Sequence, residues 1–239
     1  CDDHVNKVQR RINGFMVTDY SGGKQSINNL MKPYMISYTQ KQAGFESQIE
    51  EEILTVRVNT GDLCKQLKKD LVVEMDDEVI LADTGVKLMS KLHQMYSGTV
   101  KFESGNSTVL DIKWKFEGQK IGIFYKFKAE LDALKQVFGD QLCTDLETFD
   151  STDKNIALQI VSGREGISLR NAEHIVFYNI DFSATSYWQA RDRMTTKDRK
   201  YNKVYWVFAE GGIEKKVYRA VIQKKDYTLK HFRNDVGRW

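Results

Sequence analysis

Apolar residues follow two rhythms along this chain. Between Thr84 and Tyr96 the apolar positions are Val86, Leu88, Met89, Leu92 and Met95. The last four fall at i, i+1, i+4 and i+7, which is one face of an amphipathic helix. From about residue 112 the rhythm changes to short unbroken apolar runs, at Lys120–Tyr125, Ile156–Val161, His174–Tyr178 and Val204–Phe208. Helical segments lie among them. Leu131, Leu134, Val137 and Phe138 share one face, and Ile213, Val217, Ala220 and Val221 form one stripe. Buried strands alternating with helices predict an α/β fold with a mainly parallel sheet covered on both faces. Ligands of such sheets sit at the carboxyl ends of the strands, so the loops there are where chemistry is expected.

The first part of the chain is less regular. Ser21-Gly22-Gly23-Lys24 reads as a loop, Met31 to Tyr38 as a short apolar stretch, and Gln42 to Glu52 as polar and acidic. Asp62 to Leu71 is polar enough for an exposed helix. The expected organisation is a mixed, partly helical accessory region over 1–110 and an α/β lobe over 111–239. No internal repeat or low-complexity tract interrupts it.

Composition narrows the class. At 239 residues and 41% hydrophobic, the chain has the means to bury a core. Lys and Arg total 36 against 33 acidic residues, a balance that permits nucleic-acid binding without arguing for it. Three widely spaced cysteines, with no CxxC pair, fit neither a disulfide framework nor a zinc site; a reducing cytoplasm is expected. No apolar run approaches the ~20 residues that span a bilayer, so no membrane partner is expected. The first residue is Cys1, and the expectation is that the chain begins inside a longer protein.

Two segments imitate nucleotide motifs. Gly22-Gly23-Lys24-Gln25-Ser26 has Thr18 where a phosphate loop needs its first glycine, and Gln25 where it needs Ser or Thr. Leu71 to Glu78 imitates a strand ending in magnesium-binding acids, but without a phosphate loop it reads as an acidic turn after an apolar segment. No HExxH, GxSxG or paired-cysteine signature is present.

The informative run is 155–199. Ser162-Gly163-Arg164-Glu165-Gly166 follows an apolar run, and its glycines let backbone approach a ligand closely. Further on, Ser183 stands where it would cap a helix from Ala184 to about Thr196. On that helix Gln189, Arg193 and Lys197 would share a face. An arginine aligned with a glutamine, beside a glycine loop, suits phosphate.

This run resembles motifs V and VI of the Swi/Snf-type helicase-like ATPases of helicase superfamily two. Ser162 to Leu169 takes the family's AGG-x-G-x-N-L loop without a gap, and Ala172-Glu173 its Ala-Asp. Asn179 takes the strand-end Asp, and Phe182-Ser183-Ala184 the Trp-Asn-Pro turn. Gln189-Ala190-Arg191-Asp192-Arg193 fits Q-A-x-D-R at every fixed position. Ile121 to Phe127 resembles the motif IV strand, and Gly212 to Tyr218 the T-I-E-E-x-I helix. Pro33 to Ile36 resembles the segment leading into the second lobe. Departures are Thr196 at the family's second arginine, Asn179 for Asp and Ser168 for Asn. Asp111-Ile112 also joins abruptly where relatives carry a longer lysine-containing segment.

The resemblance implies a RecA-like second lobe of an ATP-driven translocase, with Arg193 as the arginine finger, Arg199 as the second candidate and Gln189 positioning the site. Gly163 and Gly166, with Gln189 and Arg193, would face the nucleotide. Ser162, Ser168 and Lys126 would touch nucleic acid, duplex DNA by analogy. ATP and Mg²⁺ would be held mainly by a first lobe of the same parent chain, and the chain would act as a monomer. Trp188 and Tyr187 read as core. A degenerate lobe that binds DNA or protein without catalysis is the other reading. A Rossmann-type enzyme is the third, and the absence of GxGxxG after a strand argues against it.

Overall fold

The computed structural model describes residues 5–12, 15–23, 25–36, 42–44, 48–161, 167–196, 199 and 201–237. The chain forms two compact units, residues 1–46 and 47–239. The first holds an antiparallel pair, β1 (Val5–Ile12) and β2 (Phe15–Gly23), then helix α1 (Gln25–Met31) and a 3-10 turn at Lys32–Tyr34. Ser21 to Gly23, expected as loop, ends β2, with Gly23 opposite Val5. Lys24 lies outside the described residues.

The second unit opens with β3 (Gln48–Val56), α2 (Gly61–Asp70), the hairpin β4 (Val72–Met75) and β5 (Glu78–Leu81), and α3 (Gly85–Tyr96). A second hairpin, β6 (Thr99–Lys101) and β7 (Ser107–Val109), precedes β8 (Gly122–Tyr125), α4 (Lys128–Phe138), β9 (Leu142–Cys143) and α5 (Leu146–Ser151). The chain then runs through β10 (Asn155–Gln159), β11 (Ile175–Phe177), α6 (Ala184–Arg191), β12 (Tyr201–Ala209), α7 (Glu214–Val221) and α8 (Leu229–Val236).

Six strands form one parallel sheet in the order β3-β12-β11-β8-β10-β9. Strand side chains alternate between faces, and both faces are covered. Phe124, Ile156, Phe177, Trp206 and Phe208 join a core with Tyr187 of α6, Val217 of α7 and Phe232 of α8. Ile123, Ala157, Val176 and Val207 pack with Ala133 and Leu134 of α4. This is the α/β arrangement, a parallel sheet covered on both faces, that the alternating runs predict. Within α4 the buried stripe is Ala129, Glu130, Ala133 and Leu134, whereas Val137, expected to face inward, is exposed.

The division between units falls after Glu46, whereas the change of sequence rhythm near residue 110 suggested a boundary there. Residues 47–110 share the second unit's core through Leu67, Leu88 and Leu92. They also supply an edge strand. The sequence of Gln42 to Glu52 is polar and acidic and does not announce β3, because Glu50, Glu51 and Glu52 occupy the strand's centre. Its backbone pairs with all nine residues of β12, from Gln48 opposite Tyr201 to Val56 opposite Ala209. Glu51 is tolerated there because donors converge on it. Tyr187 Oη donates at 2.7 Å, Trp206 Nε1 at 2.8 Å and Tyr218 Oη at 2.9 Å, and Arg191 Nε lies 2.7 Å away. A buried carboxylate needs such pairing to offset its lost hydration.

The acidic segment 71–78 is a hairpin, as the plainer reading held. Its turn places Asp76 at φ 51°, a left-handed position that Asp tolerates. Gly98 at φ 81° links α3 to β6, and a Cβ there would lie 2.1 Å from the Asp111 carbonyl oxygen. Ahead of β8, Lys113 meets Glu214 at 3.2 Å with both side chains fully buried. Among the described residues no helix is long and apolar enough to cross a membrane.

Candidate functional site

Topology decides where the candidate residues fall. β11 and β12 are parallel and α6 connects them. α6 must therefore run back from the carboxyl end of β11 to the amino end of β12. Arg193 and Arg199 lie between α6 and β12, at the amino-terminal edge of the sheet. These two arginines thus stand at the edge opposite the carboxyl-end loops where ligands of such sheets are expected.

The helix is also shorter than its sequence suggested. α6 stops at Arg191, and Asp192–Met194 continues as a 3-10 turn. The tighter winding breaks the expected alignment. Gln189 is exposed on α6, whereas Arg193 is half-buried beyond its end. Ser183 occupies the N-cap position without a side-chain capping bond, and Ala184 N–H instead donates to Asp226 Oδ1 at 2.8 Å. Lys197, Ser162, Gly163 and Gly166 lie outside the described residues. Tyr187 is buried and Trp188 half-buried, its Nε1 donating to the Val221 carbonyl at 3.0 Å, so both pack as read.

Arg193 is stitched to the segment that follows the glycine loop. Its Nη1 donates to the Ile167 carbonyl at 3.2 Å, and Leu169 N–H donates to the Arg193 carbonyl at 2.9 Å. Leu169 is buried against Gly122, where an added Cβ would come within 2.7 Å of its Cδ1. Ser168 is exposed between these anchors. Ile167 to Leu169, the described end of the motif V match, therefore lie beside Arg193 of the motif VI match. Arg199 has a different setting. Its Nη1 donates to the carbonyls of Arg170 at 3.3 Å and Ala172 at 2.6 Å, and its Nη2 to that of Glu173 at 2.6 Å. It holds closed the turn leading into β11.

Lys126 lies at the other end, just past the carboxyl end of β8. Its ammonium pairs with Asp181 at 2.8 Å and sits 3.8 Å from the centre of the Phe182 ring. Burial lowers the Lys126 pKa against the opposing pull of Asp181 and Glu130. Burial would raise the Asp181 carboxyl, but Lys126 and hydrogen bonds from Ser186 and Phe182 hold it below its ordinary value.

Beside this pair is a buried polar chain that the sequence did not announce. Asn179 is fully buried. Its Oδ1 accepts from His93 Nε2 at 2.6 Å and from Ile180 N–H at 2.8 Å, while its Nδ2 donates to Glu130 Oε1 at 2.5 Å. Glu130 Oε2 accepts from the N–H groups of Lys126 at 2.7 Å and Phe127 at 3.0 Å. His93 stacks on Phe182 with ring centres 4.6 Å apart. Burial, with the positive charges of Lys126 and Lys113, drives its pKa well below the ordinary histidine value. Asn179 thus faces the core. With the Glu130 carboxylate beside it, position 179 requires a donor, which Asn supplies and Asp does not. The only sequence signal for this network was Glu130 three residues after Phe127, the spacing of a helix-start carboxylate.

No protein-family model matches the chain, and no curated protein matches it. Among solved structures it is similar to the C-terminal part of the Fun30 ATPase domain, at 20% identity and a TM-score of 0.39. The match covers 48% of this chain and 42% of that one, so the chain spans less than half of that structure.

Proposed function

We propose that this chain is the second motor lobe of an ATP-driven translocase acting on nucleic acid, with duplex DNA as its track. The observation that carries the reading is the join between Arg193 and the Ile167–Leu169 segment. Ile167 to Leu169, the described end of the motif V match, and Arg193 of the motif VI match are neighbours in space, which supports a coupled nucleotide and nucleic-acid edge. In the closed motor, ATP and Mg²⁺ belong chiefly to the first lobe of the parent. Arg193 meets the charge that develops on the transferring phosphoryl group, a contribution of about 10³–10⁵ in rate for an arginine finger. Exposed Gln189, one turn before it, is the positioning group. Arg199 directs its donors to three backbone carbonyls, which supports a positioning role for it; Arg193, whose Nη1 donates to the Ile167 carbonyl, is the finger on the strength of its place in the motif VI match.

A second reading has its own support. Thr196 stands where the resemblance places a second arginine, and Arg199 is engaged elsewhere, so the lobe would serve as a binding module without catalysis. ATP hydrolysis by the intact parent, with and without duplex DNA, separates the two. A DNA-stimulated rate that collapses in Arg193→Ala supports the motor. A sound fold with no hydrolysis supports the binding module, and an undiminished rate in Arg193→Ala removes the finger assignment.

A further inference from the structure

A cleft of about 360 Å³ opens between the β6–β7 hairpin and the start of α4. Lys101 and Ser107 line it from the hairpin, Lys126 and Lys128 from the start of α4, Gln94 from α3 and Gln159 from the end of β10. Among the described residues that line it there is no Asp or Glu. Lys126 is neutralised by Asp181. Lys101 and Lys128 are exposed, and among the described residues neither has an ion-pair partner. Two unopposed ammonium groups beside one concave surface repel each other until an anion sits between them.

The hairpin wall is built rather than loose. Lys101 N–H donates to Gln94 Oε1 at 2.8 Å, and the Lys91 ammonium caps the Lys101 carbonyl. Glu103 N–H donates to the Val79 carbonyl at 2.9 Å, and Asn106 Nδ2 to Glu78 Oε1 at 2.7 Å. On the opposite wall Gln159 Nε2 donates to the Lys126 carbonyl at 3.0 Å. The lining offers donors and positive charge. The one ring among its described lining residues, Phe127, is already flanked by His93, 5.4 Å between centres, and by the Lys126 ammonium. Among the described lining residues a base finds no free aromatic face to stack on, and a ribose finds no carboxylate to accept its hydroxyl protons. What fits is a phosphate group, read without regard to sequence.

We infer that this cleft holds a backbone phosphate of the nucleic-acid duplex, with Lys101 and Lys128 supplying the charge and Ser107 a hydrogen bond. The inference rests on the translocase reading and adds to it a contact made by the hairpin between α3 and β8. Each lysine–phosphate contact releases condensed counterions, so the salt dependence of binding counts the contacts.

The test titrates the full chain into a short fluorescein-labelled DNA duplex by fluorescence anisotropy, at several salt concentrations. It compares the wild type with Lys101→Ala/Lys128→Ala, and ATP binding by calorimetry is run on both. The expected result is duplex affinity weakened by about tenfold or more in the double variant. The slope of log K against log salt should be shallower by about 2, near one per lost contact. Equal affinity and slope in the two proteins would overturn the cleft while leaving nucleic-acid binding intact. Loss of ATP binding with duplex binding unchanged would assign the cleft to free nucleotide and overturn the backbone contact. Failure of the wild type to bind duplex even at low salt would remove both this inference and the reading beneath it.

Discussion

Replacing Asn179 with Asp would restore the residue that the resemblance leads one to expect, and the structure predicts that the protein resists it. The carboxamide nitrogen of Asn179 lies 2.5 Å from Glu130 Oε1, in a site with no exposure. Asp places a second carboxylate oxygen there. Two carboxylates at that separation cannot both ionise, so the folded protein must hold a proton between them. His93 cannot readily supply relief, because burial and the charges of Lys126 and Lys113 oppose its protonation. Keeping a carboxyl of ordinary pKa near 4 protonated at pH 7 costs about three pH units. At 1.36 kcal/mol each, this is about 4 kcal/mol. The folded-state pKa is raised, so the folded state binds more protons and stability falls as pH rises. The deficit relative to wild type should grow by about 1.4 kcal/mol per unit from near pH 4 up to pH 7. Glu130→Gln alone sets two amide donors against each other and should cost about 1–3 kcal/mol. The double variant Asn179→Asp/Glu130→Gln reverses the polarity of the pair. The amide introduced at position 130 then donates to the carboxylate introduced at position 179. It still accepts from the N–H groups of Lys126 and Phe127, so stability should return to within about 1 kcal/mol of wild type. Urea unfolding followed by tryptophan fluorescence at several pH values measures all four proteins. A deficit of Asn179→Asp that does not change with pH, or a double variant no more stable than Asn179→Asp, would refute this account.

Further outcomes follow from the same kind of reasoning. Lys113→Met leaves Glu214 buried without its partner and should lower stability by about 3–5 kcal/mol, whereas Lys113→Met combined with Glu214→Gln should recover part of that; urea titration distinguishes them. Gly98→Ala drives a Cβ against the Asp111 carbonyl at a positive φ and should cost about 3 kcal/mol or more, read as a lowered thermal midpoint. Cys64 is buried, and burial pushes its thiol up to about 11, so a disulfide reagent at neutral pH should label it only at the rate of unfolding. In the parent protein, Arg193→Ala should reduce ATP turnover by about 10³-fold or more with little effect on DNA affinity.

Residue order alone dictated the alternation of short apolar runs with helices. Each such run suits burial on both sides, and its alternation with helices favours a covered parallel sheet, so the strands at β8, β10, β11 and β12 and the helices α3, α4 and α7 were legible in advance of any structure. The ordered match around Gln189 to Arg193 was legible for the same reason: it is local in the chain. Three things were not. β3 carries Glu50, Glu51 and Glu52, and no local rule makes such a segment a sheet edge; it becomes one because Tyr187, Trp206, Tyr218 and Arg191 converge on Glu51 from other elements. The end at which Arg193 and Arg199 stand follows from the return of α6 between parallel strands, a constraint set by pairing and invisible in spacing. The meaning of Asn179 depends on Glu130 and His93, which lie 49 and 86 residues away in sequence. Periodicity reports which face of an element meets the core, but hydrogen-bond partners are chosen by whatever the folded chain brings alongside, and nothing local in the sequence encodes that choice.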